Sequence, residues 1–179
     1  MKKSMFYWQV VGFFFTIALG VLLHFLFDMT NQNIIAALFS AVNESIWEHM
    51  KLLFYPTVLF AVLESRFIEQ EYETFWCVKL KGILLGLVLI PMLYYTYTGI
   101  WGTSVDWFNI AIFVIAVGVV YWVETRRFQE DKKCLLRTEA AVGVLCVIAL
   151  VFTVLTFVTP KIPLFEDSVT GTYGFYELK

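Results

Sequence analysis

The chain has 179 residues, of which 60% are hydrophobic and 18% aromatic, while only 16% are charged and the formal net charge is −2. A soluble domain carries about 25% charged residues, so this composition excludes one and fits a protein whose solvent is largely a lipid bilayer. Nucleic-acid binding is excluded as well, because no basic groove is available to follow a phosphate backbone.

The first apolar run, residues 5–27, follows Lys2 and Lys3. Ala18-Leu-Gly20 has the small-x-small form of a signal-peptide cleavage site, but Val21-Leu-Leu-His-Phe-Leu-Phe27 follows where a polar segment belongs. A retained membrane helix is therefore predicted. Residues 33–64 are too long for one crossing and too short for two with a turn between them. They read as a short interfacial or re-entrant helix over 33–50 and a crossing helix over 51–65, with one broken crossing helix as the alternative. Pro56 cannot donate to the carbonyl of Leu52 and predicts a kink there.

Helices over 80–101, 105–124 and 138–159 complete the set. Two charge-free windows, 82–101 and 140–159, are each long enough to cross hydrocarbon. Gly99 and Gly102 let the chain leave one helix, and Ser104 and Thr138 are expected to cap the next two. Beyond Thr159-Pro160 the tail 160–179 cannot stay helical, given Pro163 and the turns at Gly171 and Gly174. Its Leu164, Phe165, Tyr173, Phe175 and Tyr176 are too apolar for a free end. The tail is expected to fold back toward His24 and Glu48, with Glu166 and Asp167 near the site. The predicted architecture is one all-α integral membrane domain over 1–179, a bundle of about five transmembrane helices plus one short interfacial helix.

Five crossings place Lys2, Lys3, Arg66, Lys79, Lys81, Arg126, Arg127, Lys132, Lys133 and Arg137 on one side. The positive-inside rule makes that side cytoplasmic and puts the C-terminus outside a cell membrane. Cys77 and Cys134 then face a reducing compartment and Cys146 lies inside the last helix, so no disulfide is expected.

Chemistry concentrates in Asn43-Glu-Ser-Ile-Trp-Glu-His-Met-Lys51. Ionisable groups at membrane depth are costly, so they face partners or a water-filled cavity. On a helix, Glu44, Glu48 and Lys51 would share a sector of about 60°, with Ser45 and His49 on the neighbouring face. His24 and Asp28, four apart, stack at the end of the first helix. His24, Asp28 and His49 thus form a candidate set for a divalent metal such as zinc, with His24 and Glu48 or His49 roughly 5 to 8 Å apart. Glu44, Glu48 and Lys51 are the candidate catalytic groups, supported by Asn43, Ser45 and Trp47. The plainer alternative makes the same stretch the wet face of an interfacial helix anchored by Trp47. No His-Glu-x-x-His signature is present.

The stretch 43–56, Asn-Glu-Ser-Ile-Trp-Glu-His-Met-Lys-Leu-Leu-Phe-Tyr-Pro, and the tail 163–174, Pro-Leu-Phe-Glu-Asp-Ser-Val-Thr-Gly-Thr-Tyr-Gly, resemble a functionally uncharacterised family of small bacterial membrane proteins. The resemblance runs along the whole chain and implies a membrane location without an established activity. In that family a proline commonly follows the tail aspartate, where this chain has Ser168. Two chemical readings use the same residues: a membrane hydrolase or transferase acting on a lipid-like or peptide substrate, and a small cation- or proton-coupled transporter with an ionic substrate. A scaffold or accessory subunit is the third.

Overall fold

Hydrocarbon offers no hydrogen-bond partner to a backbone amide, so a segment that crosses it satisfies its amides internally and becomes helical. The computed structural model, which describes residues 3–130, 134 and 136–175, has six α-helices: α1 (Lys3–Met29), α2 (Ile34–Ala37), α3 (Ile46–Ile68), α4 (Phe75–Trp101), α5 (Asp106–Glu130) and α6 (Thr138–Phe157). All but α2 are long and apolar enough to cross a membrane. The protein is an all-α membrane bundle, and the described residues include no strand, only an isolated bridge between Glu166 and Tyr173. Lys2, Lys132, Lys133, Tyr176 and Lys179 lie outside the described residues.

The segment between α1 and α3 differs from its expected form. Asn31 and Gln32 take left-handed conformations after α1, and Asn33 caps α2 by accepting from the Ile35 amide. That helix is only one turn long, and an irregular stretch leads to Ser45. The crossing helix then begins at Ile46 rather than at 51, so the last residues of the predicted interfacial helix, 46–50, are in fact the start of α3. The cause is a cap: Ser45 Oγ accepts from the Glu48 amide at 3.4 Å, satisfying one of the free donors of a helix start.

α3 is the axis of the bundle. It packs against α1, α4 and α6, and is the most buried of the crossing helices. It runs unbroken through Pro56, with the Leu53 carbonyl taking a 2.7 Å bond from Thr57 Oγ. The Leu52 carbonyl, which Pro56 leaves without its helical donor, lies against Gly20 of α1, where an added Cβ would be 2.9 Å from it. Gly20 thus admits an unsatisfied carbonyl to a close helix contact. Gly12 has the same use one register lower, seating the rings of Phe60 and Tyr121.

α4 ends at Gly102, whose φ of 76° allows its amide to donate to the Thr98 carbonyl at 2.7 Å. The expected caps at Ser104 and Thr138 are absent. Ser104 instead accepts from Asn109 Nδ2 at 3.0 Å, and Thr138 is already the first residue of α6. The expectation of free cysteines is corrected too: Cys77 and Cys134 are joined by a disulfide, with Cα atoms 6.4 Å apart. Cys134, between α5 and α6 in sequence, lies against Cys77 near the start of α4, which spacing alone does not reveal.

The tail folds back onto the bundle. Phe165 lies 4.7 Å from the ring of Trp47, and Phe175 packs on Phe27 and Phe157 while its amide donates to the Thr156 carbonyl. Asp167, almost fully buried, accepts from the amides of Val169 and Thr170 and holds the turn.

Candidate metal centre

The site is built on the turn that leads into α3. Asn43 Oδ1 accepts from the Ser45 amide at 3.0 Å, so the chain turns immediately before the cap. Glu44 is left outside the helix, half-exposed, with its backbone held by the tail: its amide donates to Asp167 Oδ2 at 3.5 Å and its carbonyl accepts from Ser168 Oγ at 3.4 Å. From there the carboxylate lies between the two histidines. Oε2 is 3.4 Å from His49 Nε2, and Oε1 is 3.8 Å from His24 Nε2.

Those are the chain's only histidines, 25 positions apart, and their ring centroids are 5.4 Å apart. His49 Nδ1 sits 2.8 Å from the Ser45 carbonyl, which can only accept. Nδ1 therefore carries a proton, and Nε2 in the neutral ring presents a lone pair toward Glu44. Lone pairs facing one another at this distance call for a cation or a proton between them. The carbonyl partner on the far nitrogen is also how proteins orient imidazole metal ligands. One ligand atom from each of His24, Glu44 and His49 lies within 4.8 Å of the other two, a spacing that three bonds of about 2 Å to a single ion can close with small side-chain movements.

The other predicted site residues go elsewhere. Asp28 is exposed and outside this group. It does share a face with His24, but α1 continues past the level of Glu44, so the i, i+4 partner overshoots; Glu44 takes the carboxylate position. Glu48 and Lys51 form a buried structural pair. Glu48 Oε2 accepts from Lys51 Nζ at 2.7 Å and from the Val42 amide at 3.1 Å, and Oε1 accepts from Thr156 Oγ at 2.9 Å. Lys51 also donates to the Ala37 carbonyl at 2.9 Å. These bonds tie α2, the turn carrying Glu44, α3 and α6 together, so both residues position the site rather than face it. Trp47 supports it through ring contacts with Phe152 and Phe165. Glu48→Gln is expected to lower unfolding stability in detergent by about 1.5–3 kcal/mol, the usual worth of a buried hydrogen bond to a charged group. Unchanged stability would show that this pair does not hold the fold.

A cavity of about 500 Å³ adjoins the centre, lined by His24, Glu44 and His49 together with residues of α1, α5 and the tail. On the other side of Glu44 and His49 a pocket of about 20 Å³ is bounded by Ile46, Ile90, Tyr94 and Asn109. That is room for one water.

A second polar cluster lies deeper, and its composition was not legible as such. Lys79 Nζ bridges Glu64 and Glu124, the latter at 2.6 Å, and Gln9 Nε2 donates to Glu64 Oε1 at 3.0 Å. All four side chains are buried. The ammonium sits under the rings of Phe75, Tyr121 and Phe128, at 5.4–5.9 Å from their centroids. Gly82 makes room for Glu124, which an added Cβ would approach to 2.9 Å. Lys79, expected among the loop cations, is therefore an interior residue. The available signal was Gln9 and Glu124 interrupting or ending apolar runs, which marks polar groups without pairing them.

Comparison with known proteins adds the family and nothing on chemistry. Neither a search of curated proteins nor one of solved structures finds a match. A family model covers residues 1–175, and by that match the chain belongs to the family of unknown function DUF6512.

Proposed function

We propose that this protein is a membrane-embedded hydrolase or transferase that depends on a divalent metal, such as zinc, held by His24, Glu44 and His49, and that it acts on a lipid-like or peptide substrate in the adjoining cavity. The observation that carries the reading is the convergence of both histidines of the chain on one carboxylate, with Nδ1 of His49 committed to the Ser45 carbonyl. Three protein ligands leave a fourth position for substrate or water, as in catalytic zinc sites. The ion would act as a Lewis acid on a carbonyl or phosphoryl oxygen. With one oxygen of Glu44 on the ion, the other would take the proton from an attacking water and return it to the leaving group as the scissile bond breaks. In a transferase the hydroxyl of an acceptor replaces the water and loses the same proton.

Zinc should stabilise the purified protein against heat. At a hundredfold excess over its dissociation constant it adds about 2.7 kcal/mol, which chelation removes. The shift should vanish in His24→Ala. A thermal midpoint that ignores zinc and chelator in the native chain would refute the metal reading.

The transporter reading draws on the Gln9–Glu64–Lys79–Glu124 cluster, since ionisable groups inside a membrane mark ion and proton paths. Against it, α3 buries Leu53, Phe54, Phe60 and Ala61 between that cluster and the candidate metal centre, and Thr57, buried among them, gives its hydroxyl to the Leu53 carbonyl. The Thr16–Tyr121 pair is a further polar contact at this depth, and a relay would have to run through it.

The distribution of Lys and Arg supports a cytoplasmic N-terminus and a C-terminus on the outer face, with the candidate metal centre toward the outer leaflet. The Cys77–Cys134 bond opposes it, because this orientation puts the bond on the reducing side. A membrane-impermeant thiol reagent on intact cells decides between them: Ser168→Cys should be labelled, and protection of that position would invert the topology.

A further inference from the structure

We propose that the cavity beside His24, Glu44 and His49 admits a membrane lipid sideways, between α1 and α5, and favours a glycerophospholipid whose headgroup bears an ammonium. Such a lipid is the substrate class of the hydrolase reading, and its binding rests on that reading only for the chemistry after the lipid is in place.

The cavity walls are sorted by height. On α5, Asn109 lines the wall beside Glu44 and His49 with Asp106 one turn above it, whereas Gly20, Leu52 and Phe113 line the deeper part without a polar side chain. From Asp106 to Phe113 the wall descends about 10 Å at 1.5 Å per residue. Polar above and hydrocarbon below is the profile of a lipid standing in one leaflet. A peptide would carry several amide groups into the lower half and find only the Leu52 carbonyl to accept from them, at a desolvation cost a lipid chain does not incur. The volume, about 500 Å³, is within the range of small-molecule sites.

The way in is lateral. Lower down, α1 and α5 are closed by the bond between Thr16 and Tyr121 and by the Tyr121 ring seated on Gly12. The Phe113 ring against Gly20 forms the floor. Above it the lining residues Val21, Phe25 and Ile110 are 49%, 53% and 64% exposed, so the cavity opens along the lipid-facing side of the bundle. Ser168 and Val169 of the tail line its upper wall.

Charge selects the headgroup. No lysine or arginine lines the cavity, and with Glu44 directed at the histidines, Asp106 is the remaining charged side chain of the wall. An ammonium on the headgroup complements it; an anionic headgroup without one meets a carboxylate instead.

Native mass spectrometry of the full chain in detergent tests this, with an ethanolamine and a glycerol phospholipid of identical acyl chains as probes and zinc content read from the same spectra. The expected result is one retained lipid per chain with the ethanolamine form favoured roughly threefold, the size of effect a solvent-exposed ion pair supports. Asp106→Asn should abolish the preference and keep the lipid. Val21→Trp, which fills the groove, should cut retention at least tenfold with zinc retained, while Leu22→Trp on the neighbouring lipid-facing position should leave it unchanged. Unaltered retention in Val21→Trp, equal loss in both tryptophan variants, a preference that survives Asp106→Asn, or a preference for the glycerol form would each overturn the proposal. Selective lipid retention without zinc would sink the metal reading and leave this one standing; zinc without selective lipid does the reverse.

Discussion

Replacing Lys79 by methionine is expected to destabilise the bundle by about 3–5 kcal/mol, the cost of removing one partner of a buried ion pair and stranding the other. Here two carboxylates, Glu64 and Glu124, are left facing each other without their shared cation. Methionine keeps the length and the contacts with Phe75, Tyr121 and Phe128, so the loss reports charge rather than a cavity. Combining Lys79→Met with Glu64→Gln and Glu124→Gln should recover most of it, because a neutral polar cluster needs no counter-charge. Unfolding in detergent, followed by loss of helical signal, gives both numbers. A single variant as stable as the native chain would show that the cluster contributes nothing to the fold.

His49→Ala should weaken zinc binding by more than a hundredfold. Losing only an outer partner of a metal-bound histidine costs roughly 10–100-fold, and here the ligand itself is removed along with the carbonyl bond that aims it. Competition with a chelating dye measures it. Asp28→Ala, by contrast, should leave affinity unchanged, since Asp28 stands outside the group formed by His24, Glu44 and His49; a comparable loss there would return Asp28 to the ligand set.

The contrast between Asp28 and Glu44 shows how far residues alone carry the reading. Composition and the lengths of apolar runs are properties of the chain in a bilayer, and they lead directly to the five long helices. The place of the polar site was legible for the same reason: both histidines and the 43–51 stretch are rare polar groups at depth. Which atoms meet depended on a single cap. Ser45-Ile-Trp-Glu48 has the form of a capping box, and taken as one it starts the helix at Ile46, frees Glu44 from the helical face and turns Glu48 inward. Read as a continuous helix over 33–50, the same residues put Glu44 beside Glu48 and Lys51 and leave Asp28 to complete the metal set. The Lys79 cluster was out of reach for a different reason. Its members lie on four helices, and only the packing of α1, α3, α4 and α5 brings them together.

X-ray absorption at the zinc edge, on purified protein loaded with one equivalent of zinc, examines the proposed centre most directly. The expected spectrum shows one tightly held ion per chain with two imidazole nitrogens and oxygen completing its shell, and one imidazole fewer in His24→Ala. A sulfur ligand, a spectrum unchanged by His24→Ala, or no zinc retained by the native chain would contradict the assignment of His24, Glu44 and His49 as a metal centre.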